Sequence, residues 1–161
     1  MRTSPKDAIA IGKQISDMLG GITTMVIHEP SRGILEDVMS VFFVKAGGAL
    51  DTTPLLQQQI IQTVDSGSTP FLVPHSRGTG VTKNALGKMS SKYLDNLEIC
   101  SIGGIKIIER SHGKEVNNYL SKRDWVAFMM NPWDIMDAWK KQPSHVHFCD
   151  PCTSSPIGEH R

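Results

Sequence analysis

Apolar residues recur at helical spacing in several stretches of this chain, and residues that begin or end helices bound most of them. Pro5 follows a serine that suits an N-cap, and apolar residues then line one face, which predicts a helix over residues 5–19. A threonine–proline pair at 53 and 54 begins a second helix of the same kind. The run over residues 34–46 fits a third, although the apolar run at its centre also suits a strand, and residues 83–95 are expected to be partly helical.

The richest apolar pattern lies between Gly113 and Trp139 and is interrupted at Pro132. Proline ends one helix and suits the first turn of the next, so two helices are expected here, the second beginning near Pro132. All three tryptophans fall in this stretch: Trp125, Trp133 and Trp139. Tryptophan is favoured in protein interfaces, so these side chains are candidates for partner binding, although core packing is the simpler explanation.

Strand patterns in the sequence are shorter. Residues 22–28 are rich in β-branched side chains, and residues 71–73 form a brief apolar run between prolines that suits an edge strand. Two apolar runs, 97–102 and 105–110, flank a pair of glycines at 103 and 104, which is the arrangement typical of a two-residue hairpin turn. The predicted sheet is therefore small and largely antiparallel.

These elements predict an α+β fold in which several helices pack on that sheet. The 161 residues fall within the usual size of one domain, and the apolar fraction of 39% is sufficient for a core. Residues 1–142 are expected to form this domain. Beyond Pro143, proline, serine and glycine become frequent, so residues 143–161 are expected to be an irregular tail or a loop tied by a metal ion.

Charge and cysteine usage narrow the class of protein. Seventeen basic and sixteen acidic residues leave a formal charge of +1, which does not indicate a nucleic-acid or anionic-membrane partner. No apolar run approaches the roughly 20 residues that cross a bilayer, and no signal core follows the N-terminus, so we expect a cytoplasmic protein without membrane insertion. Three cysteines are too few for a disulfide framework, and reduced thiols or a metal fit better.

Potential metal ligands concentrate near the C-terminus. Cys149 and Cys152 have the two-residue gap with which a tight turn presents two sulfurs to one ion. An extended strand would place His145, His147 and Cys149 on one face, and His160 completes the candidate set. Zinc is the expected occupant of such a mixed sulfur and nitrogen site. A tail without metal and a redox dithiol are the alternatives.

Two tripeptides combine an imidazole, a hydroxyl and a guanidinium in expected loops, the first of them in residues 75–80. Their cationic residues are His75, Arg77, Arg110 and His112. If the two loops meet, these side chains would bind an anion such as phosphate. Ordinary solvated turns explain both tripeptides without such a contact.

The familiar catalytic motifs are missing from the sequence. The spacing of a phosphate loop fails, because Thr82 stands in the place of its first glycine and Met89 in the place of its magnesium-binding serine or threonine. Neither the Gly-x-Ser-x-Gly nucleophile elbow nor the paired histidines of a zinc protease helix are found. The sequence therefore predicts no catalytic site.

These observations favour a non-enzymatic interaction protein, an adaptor or assembly subunit that binds another protein or a second copy of itself through its aromatic helices, with a zinc-tied tail. One alternative is a small enzyme or nucleic-acid-processing protein that binds a phosphate-containing substrate through the His and Arg loops. Another is a zinc-stabilised nucleic-acid binder, which requires a shared basic face formed by Arg77, Lys83, Lys88 and Lys92.

Overall fold

The computed structural model describes residues 4–28, 52–122, 129, 131–141 and 143–149. Within these residues the chain contains five α-helices, one short 3-10 helix and a four-stranded sheet, so the expected mixture of helices and strands is confirmed. None of the helices so described is long and apolar enough to span a membrane.

The helices are α1 (Pro5–Met18), α2 (Thr52–Asp65), α3 (Arg77–Leu86), α4 (Ser91–Leu94) and α5 (Pro132–Lys141). The strands are β1 (Phe71–Leu72), β2 (Glu98–Ile102), β3 (Glu115–Ser121) and β4 (Val146–Cys149), and the 3-10 helix is Arg110–His112. From β1 onward, helices alternate with strands, which is the order expected of parallel βαβ units.

The first helix forms where the sequence predicts it. The Ser4 hydroxyl accepts a hydrogen bond from the backbone N–H of Asp7, and the Asp7 carboxylate accepts one from the N–H of Ser4, so both halves of a capping box are present. After α1 the chain turns through Gly20 and Gly21, which both adopt a positive φ that glycine tolerates.

The segment that follows α1 differs from the prediction. Residues 22–28 form no strand in the part of the chain that the structure describes. They fold back on α1 instead, where Val26 lies against Gly12 and the Thr24 hydroxyl donates to the Gly12 carbonyl at 3.4 Å. Val26 and Thr24 thus contact α1 rather than a sheet, and residues 22–26 stay exposed. The helix predicted over residues 34–46 lies outside the described residues.

The four strands lie in the order β1-β2-β3-β4, and every neighbouring pair is parallel. The prediction of a largely antiparallel sheet is therefore wrong. Strand β2 ends before the glycines at 103 and 104, but residues 105–110 do not return beside it and lead instead to the 3-10 helix and β3. Neighbouring parallel strands need such a crossover, which a two-residue hairpin turn cannot provide.

Two further segments are strands against expectation. Residues 115–121, predicted as the beginning of a helix, form β3, which pairs with β2 on one side and β4 on the other. Val116 and Leu120 are four residues apart, a spacing that occurs both on a helix face and at alternate strand positions. The polar Asn118 between them concealed the alternation. Residues 146–149, expected to be irregular, form β4.

Several other predictions are confirmed. The helix expected from residue 53 is α2, the helix expected near Pro132 is α5, and the short apolar run at 71–73 contains the edge strand β1. Residues 83–95 hold the end of α3 and all of α4, so they are partly helical. Residues 75–80 are not a simple loop, because α3 already begins within them.

The apolar core lies on one face of the sheet. Along β3 the buried residues alternate with exposed or partly exposed ones, so the strand has one buried and one more open face. Two clusters cover the buried face: Ile60, Leu86, Leu97, Ile99, Ile108 and Val116, and then Leu120, Ile135, Ala138 and Val146. These clusters bring α2, α3 and α5 to the same side of the sheet. Crossovers of one hand between successive neighbouring strands put α3 and α5 on a common face, and α2 packs there ahead of β1.

Asn118 connects the crossover segment, residues 103–114 between β2 and β3, to the centre of the sheet. Its side chain is buried, its Oδ1 accepts from the backbone N–H of Ile108 at 2.9 Å, and its Nδ2 donates to the carbonyl of the same residue at 2.9 Å. The same Nδ2 lies 3.3 Å from the carbonyl of His145, at the start of β4. One amide thereby satisfies the backbone of a buried residue that has no strand partner.

Asn118→Leu is expected to lower the free energy of unfolding by about 3 kcal/mol, because both backbone groups of Ile108 would remain buried without partners. Urea unfolding followed by circular dichroism measures this loss. Asn117→Leu is the matched control on the more open face of the same strand and is expected to cost about 1 kcal/mol or less. Equal losses in the two variants would contradict the clamping role of Asn118.

Candidate active site

The carboxyl ends of the four parallel strands lie at one edge of the sheet. Beyond β1, His75 forms a single parallel bridge with Ile102, the last residue of β2. The backbone N–H of Ser76 then donates to the carbonyl of Ile102 at 3.2 Å, and α3 begins at Arg77. Ser76 thus lies between this bridge and the first residue of α3, four residues after the end of β1.

The backbone of Ser76 has an unusual conformation. Its φ is 51° and its ψ is −122°, and it is the one non-glycine residue with positive φ in the described part of the chain. Such a conformation costs a residue with a Cβ atom about 1–3 kcal/mol and persists only where the surrounding structure enforces it. Here the sheet holds one side of the residue and α3 the other. Strained residues of this kind are concentrated at active sites and ligand clamps.

The hydroxyl of Ser76 has no structural task at the helix terminus. Serine is favoured at N-caps because its side chain accepts a backbone N–H of the first turn. Ser76 occupies the N-cap of α3, but its side chain makes no capping hydrogen bond. Neither conformational preference nor capping therefore explains a serine at this position. Ser76 is partly buried, and a sharp turn from strand to helix is the setting in which a nucleophilic serine is held at the edge of a parallel sheet.

The sequence motifs did not reveal this turn. In the Gly-x-Ser-x-Gly pattern of a nucleophile elbow, Ser76 and Gly78 match the serine and the second glycine, but Pro74 stands in the place of the first glycine. A motif comparison therefore misses the turn. The remaining signal was a short apolar strand followed within a few residues by a serine, a glycine and a helical pattern.

The four predicted anion-binding residues do not converge. Arg77 is the first residue of α3, whereas the imidazole of His112 lies beside Gly87 at its other end. The helix has 10 residues, which span about 15 Å at the usual rise per residue. Arg110 belongs to the 3-10 helix with His112, and His75 precedes Ser76. The structure therefore brings these residues together only as two separate pairs.

The three predicted metal ligands that the structure describes lie in β4 or directly before it. His147 lies in β4, where its Nε2 is 2.9 Å from the Asn117 Oδ1 and its ring stacks on Tyr119. Cys149 is exposed at the end of β4. Partial burial, and then the charges of Arg110 and His147, lower the pKa of His145.

Two of the five candidate metal ligands, Cys152 and His160, lie outside the described residues. The residues that are described include no group of three or more His, Cys, Asp or Glu side chains able to hold a metal ion. The zinc site therefore stays a prediction.

The tryptophans differ in their surroundings. Trp133 is 80% exposed on α5, whereas Trp139 packs against Phe148 of β4 with ring centroids 5.0 Å apart. Trp125 lies outside the described residues. Met129 and Met136, near Trp133 in the sequence, are also exposed. Of the two described tryptophans, only Trp139 contributes to packing between α5 and the sheet.

Among the basic residues proposed for a nucleic-acid face, Lys83 and Lys92 form ion pairs with acidic residues. The Nζ of Lys83 is 2.8 Å from Glu109 Oε1 and donates to the Ile107 carbonyl at 3.1 Å, which connects α3 to the crossover segment. Lys92 pairs with Asp65 at 2.7 Å. The hydrogen bond from Lys83, against a smaller effect of burial, lowers the pKa of Glu109. The charges of Lys83 and Lys92 therefore both contribute to contacts within the protein.

No family model, curated protein or solved structure matches this chain. The fold and the turn at Ser76 are therefore the observations from which a function is inferred.

Lys83→Met is expected to raise the pKa of the Glu109 carboxyl towards its ordinary value, because its principal hydrogen-bond donor is lost. A lowered pKa in the folded state stabilises the fold above the unfolded-state pKa, and this stabilisation disappears as the pH falls through the folded-state pKa. The variant should therefore lose less stability on acidification than the wild type.

Carboxyl NMR titration of Glu109 measures the shift, and urea unfolding across the acidic range measures the stability. Lys114→Met is the control, since the Lys114 amine lies 3.8 Å from a different carboxylate, that of Glu98. An unchanged Glu109 titration in Lys83→Met would contradict the assignment.

Proposed function

We propose that this protein is a serine hydrolase that cleaves an ester or a related acyl substrate with Ser76 as the nucleophile. The observation that carries the proposal is the positive φ of Ser76, which lies between the parallel bridge at His75 and the first residue of α3. In hydrolases built on parallel sheets, this turn holds the nucleophilic serine above the sheet with its oxygen exposed. Parallel strand order and the position at the carboxyl edge agree with this role.

The helix that follows Ser76 supports negative charge on a reacting oxygen. The N–H groups of Gly78 and Thr79 donate to the carbonyls of His75 and Ser76, and the helix dipole places partial positive charge at this end of α3. In an acyl-transfer site of this type, the N–H of the residue after the nucleophile forms part of the oxyanion hole. That residue is Arg77, so its backbone N–H is the proposed oxyanion donor. Each such donor contributes about 10²–10³ to the rate.

A nucleophilic serine needs a base that accepts its proton and a carboxylate that orients this base. In α/β hydrolases these residues follow the serine in the order aspartate or glutamate and then histidine. The sequence contains Asp124 shortly after the last residue of β3 and His160 after the last residue of β4. Both lie outside the described residues, and their roles are proposed from chain order alone.

The proposed reaction proceeds in two acyl-transfer steps. The Ser76 Oγ attacks the acyl carbon while its proton passes to the His160 imidazole, and the resulting oxyanion faces the Arg77 N–H. The bond to the leaving alcohol then breaks, and the alcohol receives the proton from the imidazolium. A water molecule attacks the acyl-serine in the same manner, which releases the carboxylic acid and returns the proton to Ser76.

Partner binding is a second candidate function, and the exposure of Trp133 favours it. An exposed tryptophan flanked by exposed methionines is unusual on a monomer's surface and typical of an interface. An adaptor or assembly role agrees with this surface but gives no reason for the strained serine. Sedimentation equilibrium of the wild type against Trp133→Glu tests self-association through this surface.

Reaction with a fluorescent fluorophosphonate, which labels activated serines, tests the proposed hydrolase. The wild type is expected to be labelled, and Ser76→Ala is expected to lower the labelling rate by at least about 10³-fold. Ser111→Ala, at an exposed serine of the 3-10 helix, is the matched control and should be labelled as the wild type is. Asp124→Asn and His160→Gln should also lose labelling, whereas Asp137→Asn and His145→Gln should not.

Labelling that persists in Ser76→Ala, or a wild type that never reacts, would overturn the proposal. If labelling is lost in Ser76→Ala but complete in His160→Gln, Ser76 is supported as the nucleophile and His160 is excluded as the base. Near-ultraviolet circular dichroism of each variant establishes that a loss of labelling does not reflect unfolding.

A further inference from the structure

A buried threonine connects the turn at Ser76 to the crossover segment after β2. Thr79 is completely buried, and its hydroxyl donates to the carbonyl of Ser76 at 2.7 Å. The same oxygen accepts the backbone N–H of Lys106 at 3.3 Å. A hydroxyl in the first turn of a helix often bonds back to the preceding turn. The second hydrogen bond goes further, because it joins the turn to a separate segment of the chain.

Gly104 is the residue that allows this close approach. A Cβ atom at this position would lie 2.9 Å from both the Oγ1 and the Cγ2 of Thr79 and 2.9 Å from the carbonyl oxygen of Lys106. Real Cβ atoms do not approach other atoms this closely, so only glycine fits without displacement. The preceding Gly103 donates its N–H to the carbonyl of Tyr119 at 2.9 Å. The crossover segment is therefore anchored to β3 on one side and to Thr79 on the other.

The carbonyl of Ser76 is held by several donors at once. Besides the Thr79 hydroxyl, it lies 3.1 Å from the Thr79 backbone N–H and 3.5 Å from the N–H of Ile105. This carbonyl shares one planar trans peptide with the N–H of Arg77, and the two groups point in opposite directions. The contacts that fix the oxygen thus also fix the direction of the N–H.

We infer that Thr79 and Gly104 are positioning residues that aim the Arg77 N–H at the oxyanion, an inference that rests on the proposed function of Ser76. The Thr79 hydroxyl fixes the peptide after Ser76, and Gly104 leaves the space in which that hydroxyl reaches both of its partners. Neither residue contacts the substrate. The oxyanion interaction depends on the geometry of the reacting complex, so their contribution acts on the chemical step rather than on substrate binding.

Two substitutions of Thr79 distinguish the contribution of its hydroxyl from that of its side-chain volume. Thr79→Val keeps the volume and branching but removes both hydrogen bonds, so the Ser76–Arg77 peptide is held less firmly. We expect kcat for p-nitrophenyl butyrate to fall about 10²-fold with KM almost unchanged, since small misplacements at a reacting centre have effects of this size. Thr79→Ser retains the hydroxyl and should keep kcat within about threefold of the wild type.

Gly104→Ala provides a second variant that leaves Thr79 itself intact. Its added methyl group displaces the Thr79 hydroxyl, so kcat should again fall while KM stays near the wild-type value. Rates are divided by the folded fraction from near-ultraviolet circular dichroism, so partial unfolding of either variant does not count as lost chemistry. The phosphonylation rate of Ser76 is measured in parallel and should fall together with kcat.

The outcomes distinguish the two proposals. A wild type that neither hydrolyses the ester nor reacts with the fluorophosphonate overturns the serine hydrolase and this inference with it. A reactive wild type with equal kcat in Thr79→Val and Thr79→Ser overturns the positioning role alone. A loss confined to KM, or a kcat that follows the folded fraction, also overturns it. A lowered kcat in Thr79→Val and Gly104→Ala that is rescued in Thr79→Ser supports it.

Discussion

Parallel pairing of neighbouring strands is the constraint on which the arrangement of this protein depends. Each new strand lies beside the previous one and runs in the same direction. After every strand the chain must therefore return to the edge of the sheet where the strands begin. Right-handed crossovers then place the connecting segments on one face, where the two apolar clusters lie. The carboxyl ends of the strands lie at one edge of the sheet, and the turn at Ser76 lies there because His75 and Ser76 pair with Ile102 at the end of β2.

Two residues, Asn118 and Thr79, connect the irregular crossover between β2 and β3 to the sheet and to α3 through hydrogen bonds. The Asn118 side chain hydrogen-bonds both backbone groups of Ile108. The Thr79 hydroxyl accepts a hydrogen bond from the N–H of Lys106 and donates one to the carbonyl of Ser76. The crossover segment is thereby attached to both the sheet and the helix. The conformational strain at Ser76 is sustained by this surrounding structure. The proposed nucleophile rests on this hydroxyl, which has no capping hydrogen bond and belongs to a residue held in a strained conformation at the carboxyl edge of the sheet.

Local signals in the sequence were enough for α1, α2 and α5, because caps and prolines near residues 4, 53 and 132 act within a few positions. Strand direction is a long-range property, and the glycine pair at 103 and 104 suits a crossover as well as a hairpin. The buried Asn118 interrupted the alternation that identifies β3. The candidate site escaped prediction because positive φ at Ser76 results from tertiary contacts, while Pro74 replaces the glycine by which the motif is usually recognised.

The measurement that tests the account most directly is the free energy of unfolding of Ser76→Gly compared with that of Ser76→Ala. Glycine adopts a φ of 51° without a steric cost, whereas alanine retains the Cβ atom. We predict that Ser76→Gly is more stable than Ser76→Ala by about 1 kcal/mol, the relief of strain less the entropy of the more flexible unfolded chain. An alanine variant that is equally or more stable would contradict the strained turn and with it the proposed nucleophile.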